Sequence, residues 1–324
     1  MDYRPARVNP AFPRLRREGR RRSRRRTALV AFLIVAVVAG VLGVGAIATD
    51  AGGAGRLYER FVAKVDRFLA GPPPADRATV ATELVTPKPA SPSPSPTASL
   101  PPAESGKPQP TPHPTPKPVP RVAVDVDIVK DHDAVFAHEL HDTWCAPAGV
   151  TIVLAILGKG APTDAREREI ASRIHEWETY SDSHNYDWGP SAMVLALSAY
   201  GAGGYHVRAY QTREDALRGA AKAIATTKSP AILLAWRGAH TWVMSGYRAN
   251  ADPARFDDAK LSGTYILDPW FPWNSSIWGQ SDPPGTFQNG SEMERNFLPW
   301  QRPEGTYPGR DGNFIVVEPS VPRG

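Results

Sequence analysis

The sequence predicts an α+β fold for the residues from about Arg121 onward, a helical half packed against an antiparallel sheet. One membrane span and a proline-rich stalk precede it. Three observations lead there. Apolar residues recur at helical spacing in several segments between 145 and 227, and short strand-like runs follow from 230. All nine tryptophans lie after residue 121, so the material for a core is confined to the last 200 or so residues. Between Pro72 and Pro120 the chain holds 17 of its 34 prolines, which leaves no room for a packed core there.

Residues 1–27 form an arginine-rich tail. Eleven arginines in the first thirty residues stand against Asp2 and Glu18, a local charge of +9, whereas the whole chain carries +5. Everything after residue 30 is therefore formally −4, so the basic pI belongs to the tail and implies no nucleic-acid partner for the rest. Ala28 to Ala48 is an uninterrupted run of 21 uncharged, mostly apolar residues. At helical rise it spans roughly 30 Å of hydrocarbon, enough for one transmembrane helix. The arginines just before it put the N-terminus in the cytoplasm and the remainder outside. The alternative is a cleaved signal peptide, since Ala46-Ile47-Ala48 has the small-x-small form of a signal-peptidase site; the length of the run favours the anchor.

Residues 49–71 are a juxtamembrane segment, helical over "GRLYERFVAKVDRFLAG" by its apolar positions 57, 61, 62, 65, 68 and 69. Residues 72–120 form the disordered stalk, which in polyproline II reaches on the order of 150 Å. Residues 121–324 form the folded domain. "RVAVDVDIV" alternates like a strand. "CAPAGVTIVLAILG" is a buried helix with Pro147 in its first turn and Gly158 at its end. "PTDAREREIASRIHEW", "GPSAMVLALSAYG" and the amphipathic "TREDALRGAAKAIATT" are three more helices. Strands follow at "PAILLAW", "HTWVMSGY", "GTYILDPW" and "NFIVVEP", with a tight turn at Arg237-Gly238-Ala239 between the first two.

Cys145 is the only cysteine. An intramolecular disulfide is impossible, and a thiolate zinc site lacks its usual cysteine partners. An inert buried thiol, an intermolecular crosslink and a nucleophile remain. His240 begins one expected strand and Asp268 ends the next, so a carboxylate can reach an imidazole across neighbouring strands. A thiol at a helix start beside an imidazolium is held as thiolate, and a carboxylate fixes the ring tautomer.

Cys, His and Asp in this order, within "WCAPAGVTIVLAILG", "SPAILLAWRGAHTWVMSGY" and "YILDPW", resemble the papain-like cysteine peptidases. The likeness is to the branch of bacteriocin-processing, double-glycine-leader peptidases, over about 150 of the 324 residues, from Val122 to Trp270. The resemblance implies a papain-like fold, Cys145 as nucleophile, His240 as general base and acid, and Asp268 as the orienting residue. It implies no cofactor and no metal. Two positions depart from the family. Ala146 replaces the glycine after the nucleophile. Glu139, six residues before the cysteine in "AHELHDTWC", replaces the glutamine whose amide donates to the oxyanion. An ionised glutamate cannot donate, so Glu139 is held protonated, or His141 or the Cys145 N–H substitutes, or the site is weakened.

Of the remaining histidines, His113, His132, His138, His141, His175, His184 and His206 show no metal-ligand spacing. Trp144, Trp188, Trp242, Trp270, Trp273 and Trp278 are candidates for a cleft lining, and the acidic, aromatic stretch 269–300 is long enough to cover one. The expectation is a membrane-anchored, extracytoplasmic cysteine hydrolase acting on peptide or amide bonds, with a peptide or cell-surface protein as its substrate. Acyl transfer through the same thioester is a variant of it. The alternative is a catalytically weak or inactive papain-like domain that binds a peptide or cell-wall partner.

Overall fold

The computed structural model describes residues 58, 61, 65, 80–86, 119–177, 188–275, 277–301, 307 and 309–322. The chain divides into two compact units, Met1–Pro72 and Pro73–Gly324. In the first, Tyr58, Phe61 and Val65 are helical with exposed side chains. The arginine-rich tail and the apolar run 28–48 lie outside the described residues. Among the described residues no helix is long and apolar enough to cross a membrane.

In the second unit the described elements run in the order β1 (Thr82–Val85), β2 (Val124–Asp127), α1 (Cys145–Ile156), α2 (Asp164–Ser172), α3 (Ile174–Trp177), α4 (Pro190–Ala199), β3 (Tyr205–Tyr210), α5 (Arg213–Thr227), β4 (Ala231–Leu234), α6 (Ala235–Gly238), β5 (His240–Ala249), β6 (Leu261–Leu267), β7 (Asn274–Ser275), β8 (Gly279–Gln280), β9 (Thr286–Asn289), α7 (Gly290–Asn296) and β10 (Phe314–Pro319). One sheet has the order β1-β3-β10-β4-β5-β6-β9, with β2 paired to the far half of β5; β7 and β8 form a separate ribbon.

The expected order, a helical half and then a strand half, needs correction. Strand β3, not among the expected strands, sits between α4 and α5, where Tyr-His-Val-Arg-Ala-Tyr alternates with period two. The helices also cover both faces of the sheet. Ile232, Leu234, Val243, Ile315 and Val317 pack with α1 and α4, whereas Ala231, Leu233, Met244, Phe314 and Val316 pack with α5. That two-sided burial is why "AILL" and "FIVV" are continuously apolar, as expected of strands covered on both faces. A second correction concerns the stalk. Residues 82–85 are not structureless: β1 pairs in parallel with β3, Thr82 opposite Val207 through Val85 opposite Tyr210. Thr-Glu-Leu-Val is a proline-free island of β-forming residues in the otherwise proline-rich segment, so it is able to fill a ladder.

The local chemistry explains the element ends. Thr163 caps α2 by accepting from the Arg166 N–H, and Thr212 caps α5 by accepting from the Asp215 N–H. Lys228, at φ 59°, ends α5 in the left-handed region and reverses the chain into β4. The single helix expected over 162–177 breaks at Arg173, whose N–H bonds back to Ile170. Helix α1 is buried from Ala146 to Leu154, as befits a helix apolar all round. Val150, Ile152, Val153, Leu154 and Ile156 are nearly inaccessible, and each contributes roughly 1.5–3 kcal/mol on burial. This anchoring sets the position of the thiol at the helix start.

Candidate active site

Four segments converge on the N-terminus of α1. Cys145 is its first residue, with Trp144 as N-cap. His240 is the first residue of β5, and Asp268 follows the end of β6. The fourth segment is the approach to α1: the Glu139 N–H donates to the Pro269 carbonyl at 2.9 Å, tying residue 139 beside Asp268. Glu139 is fully buried, and His240 and Asp268 nearly so.

His240 Nε2–H donates to Asp268 Oδ1 at 2.6 Å, and the Trp270 N–H donates to the same oxygen at 2.9 Å. Asp268 is thereby fixed from its own backbone, and the imidazole is fixed by Asp268. With Nε2 engaged, Nδ1 is the ring nitrogen left for a second partner. A donor atom from each of Glu139, Cys145 and His240 lies within 4.8 Å of the other two. The structure thus brings all four sequence-expected site residues together.

The turn that delivers His240 is strained. Trp236 (φ 52°) and Arg237 (φ 63°) are left-handed, and Gly238 follows at φ 87°. At Gly238 a side chain is excluded, because a Cβ would lie 2.3 Å from the Trp300 ring. Left-handed non-glycine residues cost on the order of 1–3 kcal/mol and persist where the surroundings over-determine them. Here the Trp236 ring stacks on His240 with centroids 4.0 Å apart, and its Nε1–H donates to Asn296 Oδ1 at 3.2 Å. Trp278 also stacks with Trp236, and Trp270 meets His240 edge-on.

Trp236 is thus the site residue that sequence reasoning missed. Its one signal was proximity, four residues before His240 in "WRGAH". Trp242, two residues after His240, points instead into the α5 core, and Trp188 borders the α1 core. Of the neighbouring histidines, His141 packs on Trp144 and His138 on Trp273.

The electrostatics correct one expectation. A helix start and an imidazole were expected to hold Cys145 as thiolate. Although the residue is partly accessible, its thiol sits in surroundings dense enough to push its pKa well above the usual range. Desolvation is the largest cause and the Glu139 charge the next; hydrogen bonding by Thr241 opposes both, and Asp268 adds a smaller upward push. Burial and the Glu139 charge thus favour the protonated thiol over the thiolate. Glu139, Cys145 and His240 are also a group of donors close enough together that they could hold a metal ion.

No family model matches the chain, and no curated protein does. Among solved structures it is similar to a double glycine motif protease from an AMS/PCAT transporter, crystallised in complex with the leader peptide. Identity is 15 %, coverage 57 % of this chain and 91 % of that one, and the TM-score 0.29. So loose a superposition carries no functional argument, which has to come from the residues themselves.

Proposed function

We propose that the domain is a cysteine hydrolase acting on peptide or amide bonds, held outside the membrane by the span at 28–48. The observation that supports this most is the buried 2.6 Å pair of His240 and Asp268 beside the chain's only thiol. In this reading His240 Nδ1 takes the Cys145 proton as Sγ attacks the substrate carbonyl carbon. The proton then passes to the leaving amine as the C–N bond breaks, which leaves a thioester on Cys145. Water, deprotonated by the same nitrogen, attacks the thioester and releases the carboxylic acid and the thiol. Asp268 keeps the ring oriented and stabilises the imidazolium. An amine entering in place of water would make the outcome transfer.

One observation favours the weaker alternative, a domain that binds a peptide or cell-wall partner with little turnover. Glu139 is a buried carboxylate that raises the thiol pKa, where an amide donor would assist. The test is a peptide thioester incubated with the protein and followed by intact mass. The hydrolase reading requires an acyl adduct on Cys145 that turns over, is absent in Cys145→Ser and forms more slowly in His240→Ala. Alkylation of Cys145 at equal rates in native and denatured protein, with no adduct, would overturn it.

A further inference from the structure

We propose that Glu139, Cys145 and His240 form a site for one divalent transition-metal ion of the zinc class, whose binding caps the nucleophile. The donor set is one thiolate, one imidazole and one carboxylate, the mixed S, N and O combination that zinc accepts and that magnesium and calcium do not. Three atoms no more than 4.8 Å apart share a centre about 2.8 Å or less from each, so bonds of about 2.0–2.3 Å need a contraction of up to about 0.5–0.8 Å.

The His240–Asp268 pair that supports the hydrolase reading would support a metal ligand as well. His240 gives Nε2 to Asp268 at 2.6 Å, and Asp268 is held in turn by the Trp270 N–H. A carboxylate behind a histidine that presents its other nitrogen is the usual support of a metal ligand, fixing tautomer and ring direction. Charge agrees as well. A thiolate and the Glu139 carboxylate, desolvated side by side, are costly alone, whereas with a dication the three-ligand cluster is neutral. Three protein ligands leave a fourth position for water. Binding involves no redox step: the Cys145 proton leaves to solvent as the metal–sulfur bond forms. The position that distinguishes this site is Glu139, since a neutral amide there would contribute neither charge nor a strong donor.

The metal site does not depend on turnover, but the capping of a nucleophile rests on the hydrolase reading, and the experiment separates the two. Metal-free full-length protein in detergent is titrated with Co²⁺ and then Zn²⁺, and the absorption spectrum is recorded. Because Cys145 is the only cysteine, a thiolate-to-cobalt charge-transfer band reports this site and no surface histidine. The expected result is that band at one equivalent together with tetrahedral d–d bands, bleached by Zn²⁺ and unaffected by Mg²⁺. Asp268→Asn should weaken binding about 10–100-fold, and Glu139→Gln at least about tenfold. Zn²⁺ should protect Cys145 of the unsubstituted protein from iodoacetamide, a readout that needs no variant. Cobalt binding without a thiolate band, no protection by Zn²⁺, or unchanged affinity in Glu139→Gln would overturn the proposal. The thioester assay on metal-free protein reads the hydrolase separately, so either reading is able to fail alone.

Discussion

Gly149 of α1 faces Thr241 of β5 so closely that a methyl group on its Cα would lie 2.5 Å from Thr241 Cγ2. The glycine stands one helical turn after Cys145, and Thr241 directly follows His240. Their contact is therefore what lets the helix start approach the strand start. Gly149→Ala should push α1 off β5. Overpacking of this kind costs about 1–3 kcal/mol, more than the roughly 1 kcal/mol that alanine gains in a helix interior. The prediction is a lower unfolding midpoint together with slower thioester acylation. Thr241→Ser removes the offending methyl while keeping the hydroxyl, so the double variant should recover both. Recovery of stability without recovery of acylation would separate the packing from the catalytic geometry.

Glu139→Gln should make Cys145 more reactive. The carboxylate is the second-largest cause of the raised thiol pKa, and the substitution removes its charge at nearly constant volume. Alkylation of metal-free protein should begin at lower pH than in the parent. If the new amide also reaches the oxyanion, acylation should rise by roughly 10²–10³. Identical pH–rate curves for the two proteins would dissociate residue 139 from the thiol.

Glu167 ties α2 to the site approach by accepting the Leu140 N–H on Oε1 at 2.8 Å. Burial pushes its pKa from 4.5 up to about 7, and the Leu140 bond only partly opposes this. Between those values the native state holds a proton that the unfolded chain releases, so stability falls as pH rises from about 4.5 to about 7. The loss is on the order of 3 kcal/mol at 1.36 kcal/mol per unit. Urea unfolding monitored by tryptophan fluorescence at pH 4.5 and 7.5 should show it, and Glu167→Gln should remove about half of the slope. Glu318, raised to about 7 by burial beneath Tyr210 and Arg208, contributes in the same direction. Glu318→Gln added to Glu167→Gln should remove what slope remains.

The proposed topology has its own test. Protease added to intact spheroplasts should release a fragment containing Cys145 and spare the arginine-rich tail. A mature soluble form beginning at Thr49 would show that Ala46-Ile47-Ala48 is processed instead.

Much of the domain was legible in the sequence because local chemistry specified it. The apolar stripe of α5 and the continuous runs of β4 and β10 each announce an element through its own neighbours. The uniqueness of Cys145 and the positions of His240 and Asp268 at strand ends were likewise readable, because an element's end is a local property. Other features depended on partners far along the chain. Strand β1 is four residues in a proline-rich segment and acquires meaning only through β3, more than 120 residues later. Trp236 matters because a strained turn lays its ring on His240, and periodicity does not encode ring stacking. The state of the thiol was decided last of all. The sequence by itself determined that one cysteine opens a buried helix; tertiary structure determined that Glu139 stands beside it. Desolvation and a neighbouring carboxylate push its pKa up, and both arise only when separate segments close around the same sulfur.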